Sequence, residues 1–374
     1  MPSAEEPLPA GLTEALARAD PTAGVAPAAA LAAAHRALAL AEAAGDVALA
    51  ARVGSWACVH AFRAGDFAAV RRTASAIAPH LNDPRAEGLT EARNDALRAA
   101  TLAALEAGAC AEALGHAQTL AVAAARQHDP GTAVTAAFAL AATCERMGDA
   151  WQALRIVEET RSMHAEAATP AFALMLLVNA EAAICIGLFH RLRGVADVAE
   201  CAAVLARGHD ASTLAARLLT RAAPDAAYEV AVHANRGELL LHQGDLAGAR
   251  AGLLPALSRA TALGLRAHGF RVRVTLAELA LAEGAPADAL AAMQRLLSEM
   301  GREAPPTTEM RAHHVAYRAA RALGDAPEAL ARFEAFERLE RERALHQLRT
   351  QSQLFVTRAE AQAAQRRAEQ AFRR

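Results

Sequence analysis

An all-α solenoid of stacked helical hairpins is the fold predicted by this 374-residue sequence, on two observations: a composition suited to helices, and a turn that recurs about every 40 residues. Alanine dominates the chain and aromatic residues supply only 4% of it. Alanine is the best helix former, whereas sheets draw on the aromatic and β-branched residues that are scarce here. The length would otherwise suggest two or three globular domains, but a repeat array needs no single central core.

The turn pairs a glycine with a small residue five positions later. The instances are Gly65 with Val70, Gly108 with Ala113, Gly148 with Ala153, Gly194 with Ala199, Gly244 with Ala249, Gly284 with Ala289 and Gly324 with Ala329. Aspartate follows the glycine at Asp66, Asp149, Asp245 and Asp325. Such a glycine closes one helix in the left-handed conformation, the aspartate caps the next, and the small residue lets two helix backbones approach. Intervals of 40 residues separate Gly108 from Gly148, Gly244 from Gly284 and Gly284 from Gly324, while the two central intervals are longer. Leu276, Leu279 and Leu281 before Gly284, and Leu290, Met293, Leu296 and Leu297 after it, give each hairpin an apolar stripe that only a stacked neighbour can bury.

Residues 1–27, rich in proline and alanine, read as a poorly ordered tail without the basic and apolar regions of a signal peptide; the solenoid is expected over 28–339. Thr169 to Phe189 is about long and apolar enough to cross a bilayer. Asn179 and Glu181 at its middle would be costly in lipid, so a buried central helix is expected and no membrane is implied. After Asp325 the pattern continues as one helix, with Pro327 in its first turn, where proline is tolerated. Residues 340–374 form its extension, in which Leu345, Leu348 and Phe355 follow an approximate heptad. This segment either caps the solenoid or pairs as a short coiled coil in a homodimer.

The Gly-Asp-x-x-x-Ala-Leu of Gly148 to Leu154, with Gly237 seven residues before Gly244, resembles the tetratricopeptide repeat over residues 45 to 340, in units longer than the 34-residue form and without its closing proline. The resemblance implies a right-handed α-solenoid with a concave groove that binds a protein or peptide partner. Phe333 to Arg374, with Gln351-Ser352-Gln353-Leu354 and Arg358-Ala359-Glu360, is similar to the helix that joins tetratricopeptide sensor regions to diguanylate cyclase (GGDEF) domains in bacterial signalling proteins. That likeness implies a regulatory module. No GGDEF sequence is present, so no cyclase activity carries over; the chain reads as a non-catalytic interaction or sensory module, with the remnant sensor half of such a cyclase as an alternative.

Chemistry is not legible in the motifs. No CxxC, HExxH, GxSxG or phosphate-binding glycine loop occurs, and His313 and His314, being adjacent, point to different sides of a helix. No catalytic residue, metal ligand or cofactor is therefore expected. All 39 basic residues are arginine, and the net charge of −2 with no DNA-binding motif argues against a nucleic-acid partner. Cys58, Cys110, Cys144, Cys185 and Cys201 stand singly in apolar stretches, as expected of buried thiols in the cytoplasm. Trp56 and Trp151 read as packing residues. The candidate partner-binding residues are Arg271, Arg311, His314, Arg318 and Arg321, the last four at helical spacing on one face, suited to a carboxylate, a phosphate or an acidic peptide. An alternative places an apolar small-molecule pocket in the looser central repeats, Thr169 to Cys201.

Overall fold

A computed structural model describes residues 11–86, 88–164, 168–222, 226–301 and 305–372, with side chains in the last helix as far as 352. Among these residues there are sixteen α-helices and no strand. Helices α1 (Leu12–Ala19) and α2 (Pro27–Ala43) precede seven hairpins. These are α3 (Val47–Ala64) with α4 (Phe67–Leu81), α5 (Thr90–Glu106) with α6 (Cys110–Gln127), and α7 (Pro130–Arg146) with α8 (Ala150–Met163). Then follow α9 (Ala171–Leu192) with α10 (Val198–Ala222), α11 (Ala226–His242) with α12 (Leu246–Ala262), α13 (Arg266–Ala282) with α14 (Pro286–Met300), and α15 (Pro306–Leu323) with α16 (Ala326–Phe372). The first helices of successive hairpins pack on one another, and the second helices form the outer layer of a right-handed α-solenoid.

The turns have the predicted chemistry. All seven glycines lie at positive φ, 79° at Gly65 and 95° at Gly148, where a β-carbon would be strained. At Gly65 the chain closes with the Asp66 amide donating to the Ala61 carbonyl at 2.9 Å, and the Asp66 carboxylate accepts the Ala69 amide at 2.8 Å. Asp149, Asp245 and Asp325 cap their helices in the same way. Of the small residues, Val70, Ala113, Ala153, Ala249, Ala289 and Ala329 are buried. Ala199 is not: the turn after Gly194 is two residues longer than at Gly65, and α10 starts at Val198 under an Asp197 cap, so Ala199 falls on an exposed first turn.

Helix α9 is the core helix expected from the apolar stretch. It is long and apolar enough to cross a membrane, yet Met175, Leu176, Leu177 and Val178 are buried among residues of α7, α8, α10 and α11. Burying each large aliphatic side chain stabilises by roughly 1.5–3 kcal/mol. The two polar residues at its middle are satisfied: Glu181, almost fully buried, accepts from Arg161 at 2.8 Å and Arg207 at 2.7 Å, and the Asn179 side-chain oxygen accepts from Asn235 at 2.8 Å.

One expectation, at the N-terminal end, needs correction. The tail predicted over 1–27 contains α1, whose Leu12, Ala15 and Ala19 are buried against α2 and α3; the Ala19 carbonyl also meets His60 Nε2 at 2.8 Å. The solenoid therefore starts by residue 12, and residues 1–10 lie outside those described. At the other end, α16 is one 47-residue helix that does more than cap. Phe333 and Phe336 pack on Tyr317 and His314 of α15. Further on, the Gln347 and Gln351 amides donate to the Arg146 and Met147 carbonyls at 3.0 and 2.6 Å, and His346 fills the space over Gly108. The helix thus runs back across the concave side, from the last hairpin to the turns at Gly108 and Gly148.

Candidate functional site

Beneath α16 the first helices line a half-open chamber of about 680 Å³. Helix α9 contributes Ile186 and His190, α11 Asn235 and Glu238, α13 Arg271 and Glu278, α15 Arg311 and His314, and α16 Phe336, Glu340 and Arg343. Each of these first helices packs its second helix on one side and its neighbours on the flanks, so its remaining face turns inward. Elsewhere α5, α9 and α11 meet, with the buried Arg98 guanidinium 5.1 Å from the Phe172 ring and 5.4 Å from the Tyr228 ring.

The floor of the chamber is an ion-pair network. Arg311 Nη2 lies 2.7 Å from Glu238 Oε1 and 3.0 Å from Glu278 Oε2, and His190 Nε2 is 3.1 Å from the same Glu238 oxygen. Both carboxylates are nearly inaccessible to solvent. Burial pushes Glu238 toward its neutral form, but Arg311, His190 and Arg271 outweigh it and hold the carboxyl well below the usual range. Glu278 is lowered by the same balance, burial against Arg311 and His190. Arg271 donates to the Asn235 side-chain oxygen, which links the network to Asn179.

His190, Glu238, His242 and Glu278 place four potential ligand atoms within 4.8 Å of one another, the arrangement among the described residues best able to hold a metal ion. The carboxylate oxygens are engaged by Arg311, however, with Arg271 close by, so guanidinium groups already supply the positive charge a cation would bring. The cluster is accordingly read as a charge-balanced network.

Burial holds three histidines at about 4: His242, where the neighbouring His190 adds to it, His313, beside Arg332 and Arg338, and His314, beside Arg193 and Arg318. Their ordinary value is 6.5, so between pH 6.5 and 4 the unfolded chain binds more protons than the folded one. Stability present above pH 6.5 is lost as the pH falls through that window. The urea midpoint is expected to drop steadily from pH 7.5 to pH 5; a flat or rising midpoint would show that these rings protonate freely in the folded state.

Of the residues singled out from the sequence, the chamber gathers Arg271, Arg311 and His314. Arg318 is exposed, close enough to Arg193 to repel it, and Arg321 faces a separate apolar groove with Tyr317, Leu330 and Phe333. The one-face arginine stripe therefore divides, because α16 crosses α15 and splits its surface. Leu345 and Leu348 are exposed, while the side chain of Phe355 lies outside the described residues. Trp56 packs in the first hairpins, but Trp151 is half exposed. Sequence reasoning missed Glu238, Glu278 and His190. A signal existed: Glu238 and Glu278 each stand six residues before a turn glycine, and Arg271 and Arg311 each stand thirteen before one.

Fold and chamber together define a helical-repeat protein of the tetratricopeptide-like class. No family model and no curated protein matches the sequence. Among solved structures, a Rap protein complexed with Competence and Sporulation Factor is similar over 92% of this chain and 90% of its own, with 11% identity and a TM-score of 0.59. BtubC from P. vanneervenii matches over 64% of this chain and 92% of its own at 16% identity, with a TM-score of 0.41. The likeness to the Rap protein is one of fold.

Proposed function

We propose that this chain is a non-catalytic interaction module that holds a short segment of a protein partner in the chamber between its first helices and α16. The observation that carries this reading is the chamber itself, lined by five helices and roofed by the chain's own last helix. Volumes of roughly 300–1,000 Å³ suit ligands of modest size, so about 680 Å³ fits a few residues of extended chain and excludes a folded domain. The Rap protein, similar in fold, was solved in complex with Competence and Sporulation Factor, which is in keeping with a solenoid of this shape holding a ligand. An apolar small-molecule pocket around Thr169 to Cys201 has less support: that stretch gives the chamber only Ala183, Ile186, Gly187, His190, Arg191 and Arg193, and the adjoining walls are charged.

The module acts, on this reading, in bacterial signalling in the cytoplasm, coupling occupancy of the chamber to a separate output chain. Its cysteines are all free thiols, three of them buried, which suits a reducing compartment. Coupling runs through α16. That helix turns Glu340, Arg343 and Gln347 toward the chamber and leaves Leu345 and Leu348 53% and 63% exposed, an apolar edge suited to the same edge of a second copy. Light scattering is expected to find a dimer for the full chain and a monomer after Leu345→Glu with Leu348→Glu; a monomer in both cases removes self-association from the reading. Partner binding is tested by incubating the full chain with a pool of random short peptides and identifying those retained on gel filtration. Retention that Phe336→Arg abolishes is the expected result, and no retention, or retention indifferent to that substitution, counts against it.

A further inference from the structure

The arginines of the chamber are not all neutralised. Six arginines and four glutamates line it. Arg146 is paired with Glu106 at 2.7 Å, Arg191 with Glu145 at 3.4 Å, and Arg343 with Glu340 of its own helix. Arg311 takes both Glu238 and Glu278. Arg193 and Arg271 remain, with no carboxylate in ion-pair contact among the described residues, although Glu238 attracts Arg271 from beyond contact distance. Arg271 leans on a neutral amide, Asn235, while Arg193 stands at the end of α9 facing Arg311 and Arg318.

We propose that the chamber selects a ligand segment bearing an oxyanion, a carboxylate of the bound peptide, and that Arg193 and Arg271 hold it. This rests on the reading of the chamber as the partner's binding place. A guanidinium offers a fork of donors that a carboxylate accepts in a bidentate fashion, and such charge-assisted bonds are roughly twice as strong as neutral ones. The location strengthens the attraction, because charges removed from water interact at a far lower effective dielectric than on an open surface. Burial depresses the pKa values of both groups; Arg318 and Arg311 repel Arg193 while Glu278 partly offsets them, and at Arg271 the attraction of Glu238 works against burial while Arg311 repels. A negative group entering the chamber relieves that repulsion at both. Glu238 and Glu278 do not compete for this role, since Arg311 and His190 engage them at the floor.

The test titrates the full chain with three probes: a short Ala–Glu peptide acetylated and amidated at its ends, the Ala–Gln peptide of the same length with the same blocked ends, and inorganic phosphate. The Ala–Glu peptide is expected to bind at least about tenfold more tightly than its neutral counterpart, a difference of about 1.4 kcal/mol. Arg193→Gln and Arg271→Gln, each checked for an unchanged fold by circular dichroism, are expected to remove most of that preference. Arg193→Lys should restore part of it, because charge is retained and the fork is lost. Equal binding of both peptides, unchanged in the variants, overturns the oxyanion site and leaves the chamber as a binding place. Phosphate binding that depends on Arg193, with neither peptide bound, keeps the oxyanion site and overturns the peptide reading. Binding of none of the three overturns both.

Discussion

Replacing Arg311 by alanine is expected to destabilise the protein by about 3–5 kcal/mol at neutral pH, the cost of leaving buried charges without their partner. Glu238 and Glu278 are almost wholly inaccessible and share this one guanidinium in contact; His190, Thr275 and the more distant Arg271 do not replace the ion pairs that Arg311 makes with both carboxylates. The pH dependence carries the sign. In the native protein both carboxyls are held below their ordinary value of 4.5, so the stability the network supplies is present above that value and is lost as the pH falls through the lower folded values. Without Arg311, burial raises both groups, and protonation relieves the strain. The deficit measured by urea denaturation should therefore be largest at pH 7 and shrink toward pH 4. A deficit independent of pH would mean that lost packing, not lost charge pairing, is responsible. Combining Arg311→Met with Glu238→Gln and Glu278→Gln should recover much of the loss, because exchanging a whole buried ionic network costs far less than breaking it.

The second large effect lies at the close approach of α11 and α12. Leu253 is fully buried and its side chain lies directly over Gly237; a β-carbon at position 237 would come 2.6 Å from Leu253 Cγ. Leu253→Ala should cost about 2–5 kcal/mol through lost burial and the cavity left behind. Gly237→Ala gains about 1 kcal/mol of helix propensity but meets an overpacking penalty of about 1–3 kcal/mol, so the net change is destabilising. Together the two are expected to cost less than the sum of the single changes, since the new methyl occupies part of the space the leucine vacates. Gly115 is the control: it is exposed on α6 with nothing within 4 Å of an added β-carbon, and Gly115→Ala should stabilise by up to about 1 kcal/mol. Thermal or urea unfolding of the four variants decides the matter, and a Gly237→Ala protein more stable than the native one would contradict the contact.

The hairpins were readable in the sequence because their signals are local. A turn glycine must take positive φ, and an aspartate three residues before an unpaired amide caps it, wherever the helices later go. The exception, Ala199, follows from a turn two residues longer than the rule assumed. The site was only partly readable. Arg311 and His314 were found from helical spacing along one element and Arg271 from its matching place on the helix before, but Glu238, Glu278 and His190 meet them only after stacking. Their repeat offsets carried the information, since residues at one offset in adjacent repeats lie side by side.

Sequence by itself determined the class of fold, the seven turns, the buried nature of α9 and the continuity of α16. These rest on the backbone preferences of individual residues and on period, which act over a few positions. The tertiary structure alone decided that α16 turns back over the groove, that the arginine stripe is split between a chamber and an outer groove, and that two buried carboxylates answer Arg311. Such features depend on the small rotation accumulated from hairpin to hairpin, which brings residues some two hundred positions apart into contact at Arg146 and Gln347 and leaves no mark on either segment alone.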